Sequence, residues 1–178
     1  VVAISTPWLD YAKSRGLAAV RIPVPHPLEC RGEESASSGK PADNNHFNLV
    51  YVGNLYRRDM PATMLNAMRQ VVSRAGSSVH LTVVGRNDLW PEARFFGRAV
   101  QSDPALRKCV TMTGYLSEHE YRECYAKADA FLLLHTDTWD SRACFPTRLS
   151  EFLCSGRPVI VSGVGDVPLY LDDGQHAV

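Results

Sequence analysis

Ala130-Phe-Leu-Leu-Leu134 is a continuous apolar run with no polar residue at alternate positions. A strand of this kind is buried on both faces, which is typical of a parallel sheet covered by helices on either side. Other short apolar runs predict further strands at residues 1–5, 48–52, 79–84, 110–113 and 158–161. The chain therefore reads as a series of buried strands rather than as alternating, half-exposed ones.

Helical segments separate these strands. Pro61 stands in the first turn of the segment 61–75, where its missing N–H costs nothing. Ser117 and Glu120 form a capping box that begins the segment 117–127. Further helices are predicted at 7–15, 91–101, 146–154 and, briefly, near 168–171. Single helices between parallel strands give right-handed β-α-β units. The sequence thus predicts an α/β fold with a doubly wound, Rossmann-like parallel sheet.

The composition is that of an ordinary globular protein. The chain has 178 residues, of which 45% are apolar and 21% charged, which excludes a disordered or collagen-like chain. Nineteen basic residues balance nineteen acidic ones, and this argues against nucleic acid as a partner. The five cysteines form no C-x-x-C pair. We therefore expect neither a zinc site nor a disulfide framework, and a reducing, cytoplasmic location.

Ligands of doubly wound sheets bind outside the carboxyl ends of the strands, so the loops at that edge hold the candidate site. Gly53 directly follows a predicted strand, and Arg57 and Arg58 come four and five residues later. Glycine lets the backbone approach a ligand, and arginine can grip a phosphate with paired N–H groups. Gly85 and Arg86 repeat this pattern after the next strand. The alternative is a tight turn with solvated arginines.

Arg148 and Glu151 lie three residues apart and share one face of a predicted helix. Near the start of a helix a cation can be aimed at a phosphate, and a carboxylate can accept hydrogen bonds from the vicinal hydroxyls of a sugar. A simple surface ion pair is the alternative.

His135 follows the strand 130–134 and is either ligand-facing or a satisfied buried histidine. Pro168 stands where a G-x-G-x-x-G fingerprint needs its third glycine, so a nicotinamide site is not expected.

Several ordered motifs carry a family resemblance. Leu49-Val-Tyr-Val-Gly53 and Leu81-Thr-Val-Val-Gly85 are strand-glycine turns, and Gly114-Tyr-Leu-Ser-Glu-His-Glu120 follows them at a regular interval. The most specific segment is Phe145-Pro-Thr-Arg148-Leu-Ser-Glu151-Phe-Leu-Cys-Ser-Gly156-Arg-Pro158. Together they resemble the C-terminal, donor-binding half of GT-B glycosyltransferases, specifically the retaining family 4, also called group 1. The resemblance covers the chain from about Asn48 to its end.

The resemblance implies that the chain binds a nucleotide-diphosphate sugar for transfer to an acceptor hydroxyl with retention. It implies that Glu151 bonds the ribose hydroxyls, that backbone around Tyr115 and Leu116 meets the base, and that basic residues after Gly53 hold the diphosphate. No metal or other cofactor is expected, and no catalytic residue is identified. The expected donor-binding residues are Gly53, Asn54, Arg57, Arg58, Gly85, Arg86, Tyr115, Leu116, Pro146, Thr147, Arg148 and Glu151.

Two positions depart from the family pattern. The family's common lysine after the first glycine turn falls on Asp59, which leaves Arg58 as its natural substitute and Arg57 as the second choice. A glutamate that many members carry eight residues before the ribose-binding one falls on Ala143.

The resemblance also divides the chain into parts. Residues 1–27 are expected to be the junction from a missing N-terminal acceptor domain, residues 28–47 a linker or mobile loop, and residues 48–178 a nucleotide-sugar-binding domain that is cut at its C-terminal end. The acceptor, a sugar or lipid-linked glycan, and any peripheral membrane contact would belong to the missing half, so this chain alone should be inactive. A GT-B nucleotide-sugar epimerase or hydrolase, and a non-catalytic nucleotide-sugar-binding module, are the alternatives.

Overall fold

The computed structural model describes residues 1–22, 46–86, 88–172 and 174. Seven strands occur in these residues: β1 Val2–Ala3, β2 Val20–Arg21, β3 Phe47–Val52, β4 Val79–Val84, β5 Val110–Gly114, β6 Ala130–Leu133 and β7 Val159–Val161. The helices are α1 Thr6–Ser14, α2 Pro61–Ala75, α3 Pro91–Ser102, α4 Pro104–Cys109, α5 Glu118–Ala126, α6 Trp139–Ala143 and α7 Arg148–Cys154. Two 3₁₀ turns lie at Arg57–Asp59 and Val167–Leu169.

The main sheet has five parallel strands in the order β5-β4-β3-β6-β7. The chain builds outward from β3 through β4 to β5, then returns to pair β6 with the other side of β3 and continues to β7. The direction of winding therefore reverses between β3 and β6, and such a switch point leaves a crevice beyond the carboxyl ends of the two strands. The predicted doubly wound parallel α/β fold is confirmed.

Helices cover both faces of this sheet. On one face Tyr51, Leu81 and Val83 pack against α2, α3 and α4. On the other face Val50 and Val52 pack against α5 and α7. Neighbouring residues of β3 thus point to opposite layers, as the pleat of a strand requires. The continuous apolar pattern of the strands follows from this double burial.

The first 22 residues form a small unit that docks on the main sheet's C-terminal loops. Here β1 pairs in parallel with β2 to make a separate two-stranded sheet. The Ser5 hydroxyl donates to the Ala143 carbonyl at 2.7 Å. Asp166 accepts from the Thr6 backbone N–H at 2.8 Å and from the Arg21 guanidinium at 2.9 Å. A single buried carboxylate therefore ties the first residue of α1 and the last residue of β2 to the loop after β7.

The prediction of a buried strand over residues 1–5 is wrong. The strand covers only Val2–Ala3, and Val1 and Val2 are 65% and 63% exposed. Alternate residues such as Ala3 and Ser5 are buried while Val2 and Ile4 are exposed, which is the pattern of a strand that the described residues cover on one face.

Shorter elements also differ from the sequence prediction. Helices α4 and α6 and the 3₁₀ turn Arg57–Asp59 were not predicted. The helix expected from 146 begins at Arg148, and the short helix expected near 168–171 is the 3₁₀ turn Val167–Leu169. The predicted linker, residues 28–47, lies outside the described residues except for His46 and Phe47, and Phe47 is not linker but the first residue of β3. Within the described part of the chain, no helix has the length and apolar character needed to cross a bilayer.

Candidate functional site

A cavity of about 350 Å³ lies at the switch point, beyond the carboxyl ends of β3 and β6. Its walls come from the turn after β3, the residues that follow β6, and the first turn of α7. The polar and aromatic residues that line it are Tyr51, Asn54, Tyr56, Arg58, Asp59, Trp90, His135 and Arg148, together with Gly53. This is the position at which doubly wound sheets bind their ligands.

The two glycine turns at this edge pack directly against each other. A Cβ on Gly53 would collide with the Tyr51 hydroxyl, and a Cβ on Gly85 would collide with the Gly53 carbonyl. Gly85 also has a φ of +138°, which side-chain-bearing residues rarely adopt. The Asn54 side-chain oxygen then accepts from the Arg86 backbone N–H at 3.2 Å. Protein packing alone therefore requires glycine at both positions.

Asp59 is buried beneath the cavity and fixes the turn after β3. Its Oδ2 accepts from the Tyr51 hydroxyl at 2.9 Å and from the Tyr56 backbone N–H at 2.8 Å. The Tyr51 oxygen in turn accepts from the Leu55 N–H at 3.3 Å. Burial, with the Asp59 charge adding to it, raises the pKa of Tyr51 well above its ordinary value. The Tyr51 hydroxyl consequently keeps its proton and remains a donor. Asp59, at the position where the resemblance predicts a lysine, stabilises the turn through these buried hydrogen bonds.

Arg58 and Arg148 converge on the cavity from different elements. Arg58 is half-buried, and its Nη1 lies 3.8 Å from the Cys144 Sγ as a donor. The Arg58 carbonyl accepts from the Thr136 N–H at 2.7 Å, which ties its turn to the loop after β6. Arg148 reaches the same space from the first residue of α7. Two guanidinium groups around one cavity favour an anion with several oxygens.

Glu151 lies one helical turn beyond Arg148 and faces α5. Its Oε2 lies 3.2 Å from the Tyr125 hydroxyl and 3.3 Å from the Tyr121 hydroxyl. The two hydroxyls are themselves 2.6 Å apart. Burial raises the pKa of both tyrosines, so each keeps its proton. The two hydroxyl protons are thus shared among three oxygen–oxygen contacts, two of them to Glu151. These contacts orient the Glu151 carboxylate.

The other predicted donor-binding residues do not line this cavity. Arg57 is exposed on the 3₁₀ turn, and the Arg86 guanidinium bonds Asp88 at 3.3 Å. Tyr115 is 78% exposed after β5, and Leu116 lines a second cavity of about 380 Å³ beside α5. Pro146 and Thr147 precede α7 in the turn that leads to Arg148. Of the predicted set, the structure brings Gly53, Asn54, Arg58 and Arg148 together.

Several residues of the cavity were missed or left open at the level of sequence. Tyr56 and Trp90 meet edge to face in its wall, with ring centroids 4.9 Å apart. The only signal for Trp90 was its place in the loop after β4, at the same edge of the sheet. His135 lines the cavity with Nε2 3.8 Å from the Asp59 Oδ1. Across the described ranges, no group of three or more His, Cys, Asp and Glu side chains could hold a metal.

Comparison with known families gives one sequence match. Residues 46–178 match the sequence model of a family described as "Glycosyl transferases group 1". None of the curated proteins matches the chain in sequence.

Solved structures share the fold. A glycosyltransferase from Rickettsia africae has a TM-score of 0.68 at 12% identity over 97% of this chain and 46% of that one. Sucrose-phosphate synthase from Thermosynechococcus elongatus has a TM-score of 0.62 at 20% identity over 95% and 42%. A mutant of S. aureus TarM, in a complex that includes UDP, has a TM-score of 0.64 at 10% identity over 100% and 33%. The chain spans less than half the length of each of these structures.

Proposed function

Because the chain belongs to the group 1 glycosyltransferases, we propose that the cavity between β3 and β6 binds the diphosphate of a nucleotide-sugar donor. The observation that carries this proposal is the convergence of Arg58 and Arg148 on one cavity at the switch point. Their forked guanidinium groups match the oxygens of a diphosphate in geometry and in charge. Asn54, which directly follows Gly53, adds a neutral amide to the same wall.

Glu151 is the proposed partner of the ribose. A carboxylate can accept from both vicinal hydroxyls of a ribose at once, and such bonds are charge-assisted. The Tyr121 and Tyr125 hydroxyls hold the Glu151 carboxylate in place from the side of α5. The position one turn after Arg148 on the same helix supports this assignment, because it sets the ribose next to the diphosphate. The base is proposed to meet the backbone around Tyr115 and Leu116.

The proposed reaction is transfer of the sugar to an acceptor hydroxyl with retention and without a metal. In such a reaction the bond from the sugar to the diphosphate breaks, and negative charge develops on the leaving diphosphate. Arg58 and Arg148 would stabilise that charge where it appears, which is usually the largest contribution in this kind of catalysis. The acceptor, a sugar or lipid-linked glycan, is proposed to bind to a part of the protein outside this chain.

Titration calorimetry tests the assignment directly. The nucleosides, monophosphates and diphosphates of uridine, guanosine and adenosine are titrated into the wild type and its variants. We expect the best diphosphate to bind near the millimolar end, at about −4 kcal/mol, because only one side of a cleft supplies contacts. Glu151→Gln should weaken every ligand that carries a ribose, by about 1.5–3 kcal/mol.

Two arginine variants separate the phosphate contacts. Arg148→Ala should weaken the diphosphate more than the nucleoside, because its charge acts on phosphate. Arg57→Ala is the matched control: the residue is exposed beside Arg58 but outside the cavity, so it should leave all three affinities unchanged. If Arg148→Ala and Glu151→Gln both bind every ligand as the wild type does, the donor site lies elsewhere.

A further inference from the structure

His135 stands just beyond β6, where its ring forms part of the same wall as Arg58 and Arg148. The side chain is only 15% exposed, and Nε2 lies 3.8 Å from the Oδ1 of Asp59, which is 13% exposed. The His135 backbone N–H donates to the Ser162 hydroxyl at 3.0 Å and fixes the residue at the end of the strand. The imidazole thus has the cavity on one side and a buried carboxylate on another.

We propose that His135 is a third cationic ligand of the bound diphosphate, and that it becomes one by taking up a proton from solvent as the diphosphate binds. The Asp59 carboxylate, 3.8 Å from the His135 Nε2, is the counter-ion of the resulting imidazolium. No bond of the donor is made or broken in this step, since one proton moves from solvent to a ring nitrogen. The inference rests on the proposed function, because it requires a diphosphate between Arg58 and Arg148.

Charged groups face this ring from three neighbouring elements: Arg58 and Asp59 from the 3₁₀ turn, Asp140 from α6 and Arg148 from α7. In the protein alone, burial lowers the pKa of His135 below its ordinary value of 6.5. Asp59 and Asp140 oppose that shift, whereas the two arginines add to it. Without a ligand the imidazole is therefore neutral at pH 7, next to a carboxylate that could stabilise its charged form.

A bound diphosphate changes this balance in one direction. Negative charge within a few ångströms favours the imidazolium, and the same charge offsets the two arginines that disfavour it. The pKa of His135 is then higher in the complex than in the free protein. Binding takes up a proton between the two pKa values, and affinity falls as the pH rises through that range, by up to about tenfold per pH unit.

Calorimetry with nucleotide sugars measures the number of protons that the protein takes up on binding. The probes are UDP-glucose, GDP-mannose and ADP-glucose, whose diphosphates are diesters and therefore lack the phosphate monoester ionisation near about pH 6. Each is titrated in two buffers of different ionisation enthalpy, so that the difference in heat gives the number of protons taken up. His80→Gln is the matched control for His135→Gln. His80 is a histidine near the amino end of β4, away from the cavity, with Nε2 2.8 Å from the Thr111 hydroxyl.

We expect the wild type and His80→Gln to take up part of a proton near neutral pH and to lose affinity as the pH rises. His135→Gln should take up none and should bind with little dependence on pH. Proton uptake that persists in His135→Gln, or that is absent from a wild type that binds a probe, overturns the inference and leaves the proposed function standing. If no probe binds the wild type at any pH, the proposed function fails and this inference fails with it. The wild-type measurement needs no variant, so misfolding of His135→Gln does not prevent the test.

Discussion

At the scale of single residues, Tyr51 shows how the core shapes the site. Its hydroxyl lies beneath Gly53, donates to Asp59 and accepts from the Leu55 N–H. A core side chain of β3 thereby sets the path of the turn that carries Arg58. Stability and the candidate site consequently depend on the same buried contacts.

Tyr51→Phe should destabilise the protein. The change removes a donor from the buried Asp59 carboxylate and an acceptor from the Leu55 N–H. Leaving such groups unsatisfied costs about 1–3 kcal/mol, which chemical denaturation would measure as a lower free energy of unfolding. Tyr11→Phe is the control, because Tyr11 is 46% exposed on α1 and should change stability by less than about 0.5 kcal/mol. Equal stability of Tyr51→Phe and wild type would contradict this account of the turn.

The residues alone named Arg58 and Arg148, and only the family resemblance ranked Arg58 above Arg57. That choice depends on the turn after β3, where Leu55 and Met60 have positive φ values of 51° and 55°. Residues other than glycine seldom adopt this conformation, and no local pattern announces it. The same turn places Asp59 under the cavity. Its inward direction depends on Tyr51, eight residues away.

At the scale of elements, α5 illustrates a feature that local sequence does predict. The capping box is present, with the Ser117 N–H donating to the Glu120 Oε2 at 2.8 Å and the Glu120 N–H donating to the Ser117 Oγ at 3.4 Å. The helix it begins holds Tyr121 and Tyr125 against Glu151. The cap therefore contributes to the candidate site as well as to the fold.

Ser117→Ala should lower the free energy of unfolding by about 0.5–2 kcal/mol, as loss of an N-cap commonly does. Ser73→Ala provides the comparison, since Ser73 is exposed inside α2 and its hydroxyl donates to the Gln70 carbonyl of the same helix. We expect that variant to stay within about 0.5 kcal/mol of wild type. Thermal or urea unfolding measures the free energy of unfolding of both variants. A Ser117→Ala variant as stable as Ser73→Ala would show that the capping box does not stabilise the protein.

Elements with long apolar patterns were predictable, and short ones were not. Helices α4 and α6 have six and five residues, which is too short for an amphipathic period to show. Trp139 of α6 instead contacts Trp8 of α1, with ring centroids 6.2 Å apart. Helix α6 thus depends on a tertiary contact, which a pattern along the chain does not contain, whereas α4 has a local signal in its N-cap Asp103 and in Pro104 that was missed.

At the scale of the whole molecule, the docking of residues 1–22 depends on Asp166. This carboxylate is 3% exposed and accepts from both Thr6 and Arg21. The docked unit also contacts α6 through the Ser5 hydroxyl and the Ala143 carbonyl. The segment between β6 and α7 therefore contacts this unit through Ala143 and lines the cavity through His135.

Asp166→Ala should loosen residues 1–22 while leaving the five-stranded sheet intact. Loss of two bonds to a buried carboxylate costs about 1.5–3 kcal/mol. Amide hydrogen exchange should become faster in β1, α1 and β2 and stay unchanged in β3 and β4. Asp10→Ala, at an exposed position of α1, should leave exchange as it is in the wild type. Unchanged exchange of residues 1–22 in Asp166→Ala would mean that Asp166 does not hold them.

The cavity between β3 and β6 is the proposed nucleotide site. Amide chemical-shift mapping of the isotopically labelled chain with UDP, GDP and ADP at millimolar concentration tests it most directly. We predict that at least one diphosphate shifts the resonances of residues 53–58, of residues 134–136 and of the first turn of α7. Shifts confined to the second cavity around Thr82 and Thr113, or no shift with any of the three ligands, would contradict the claim.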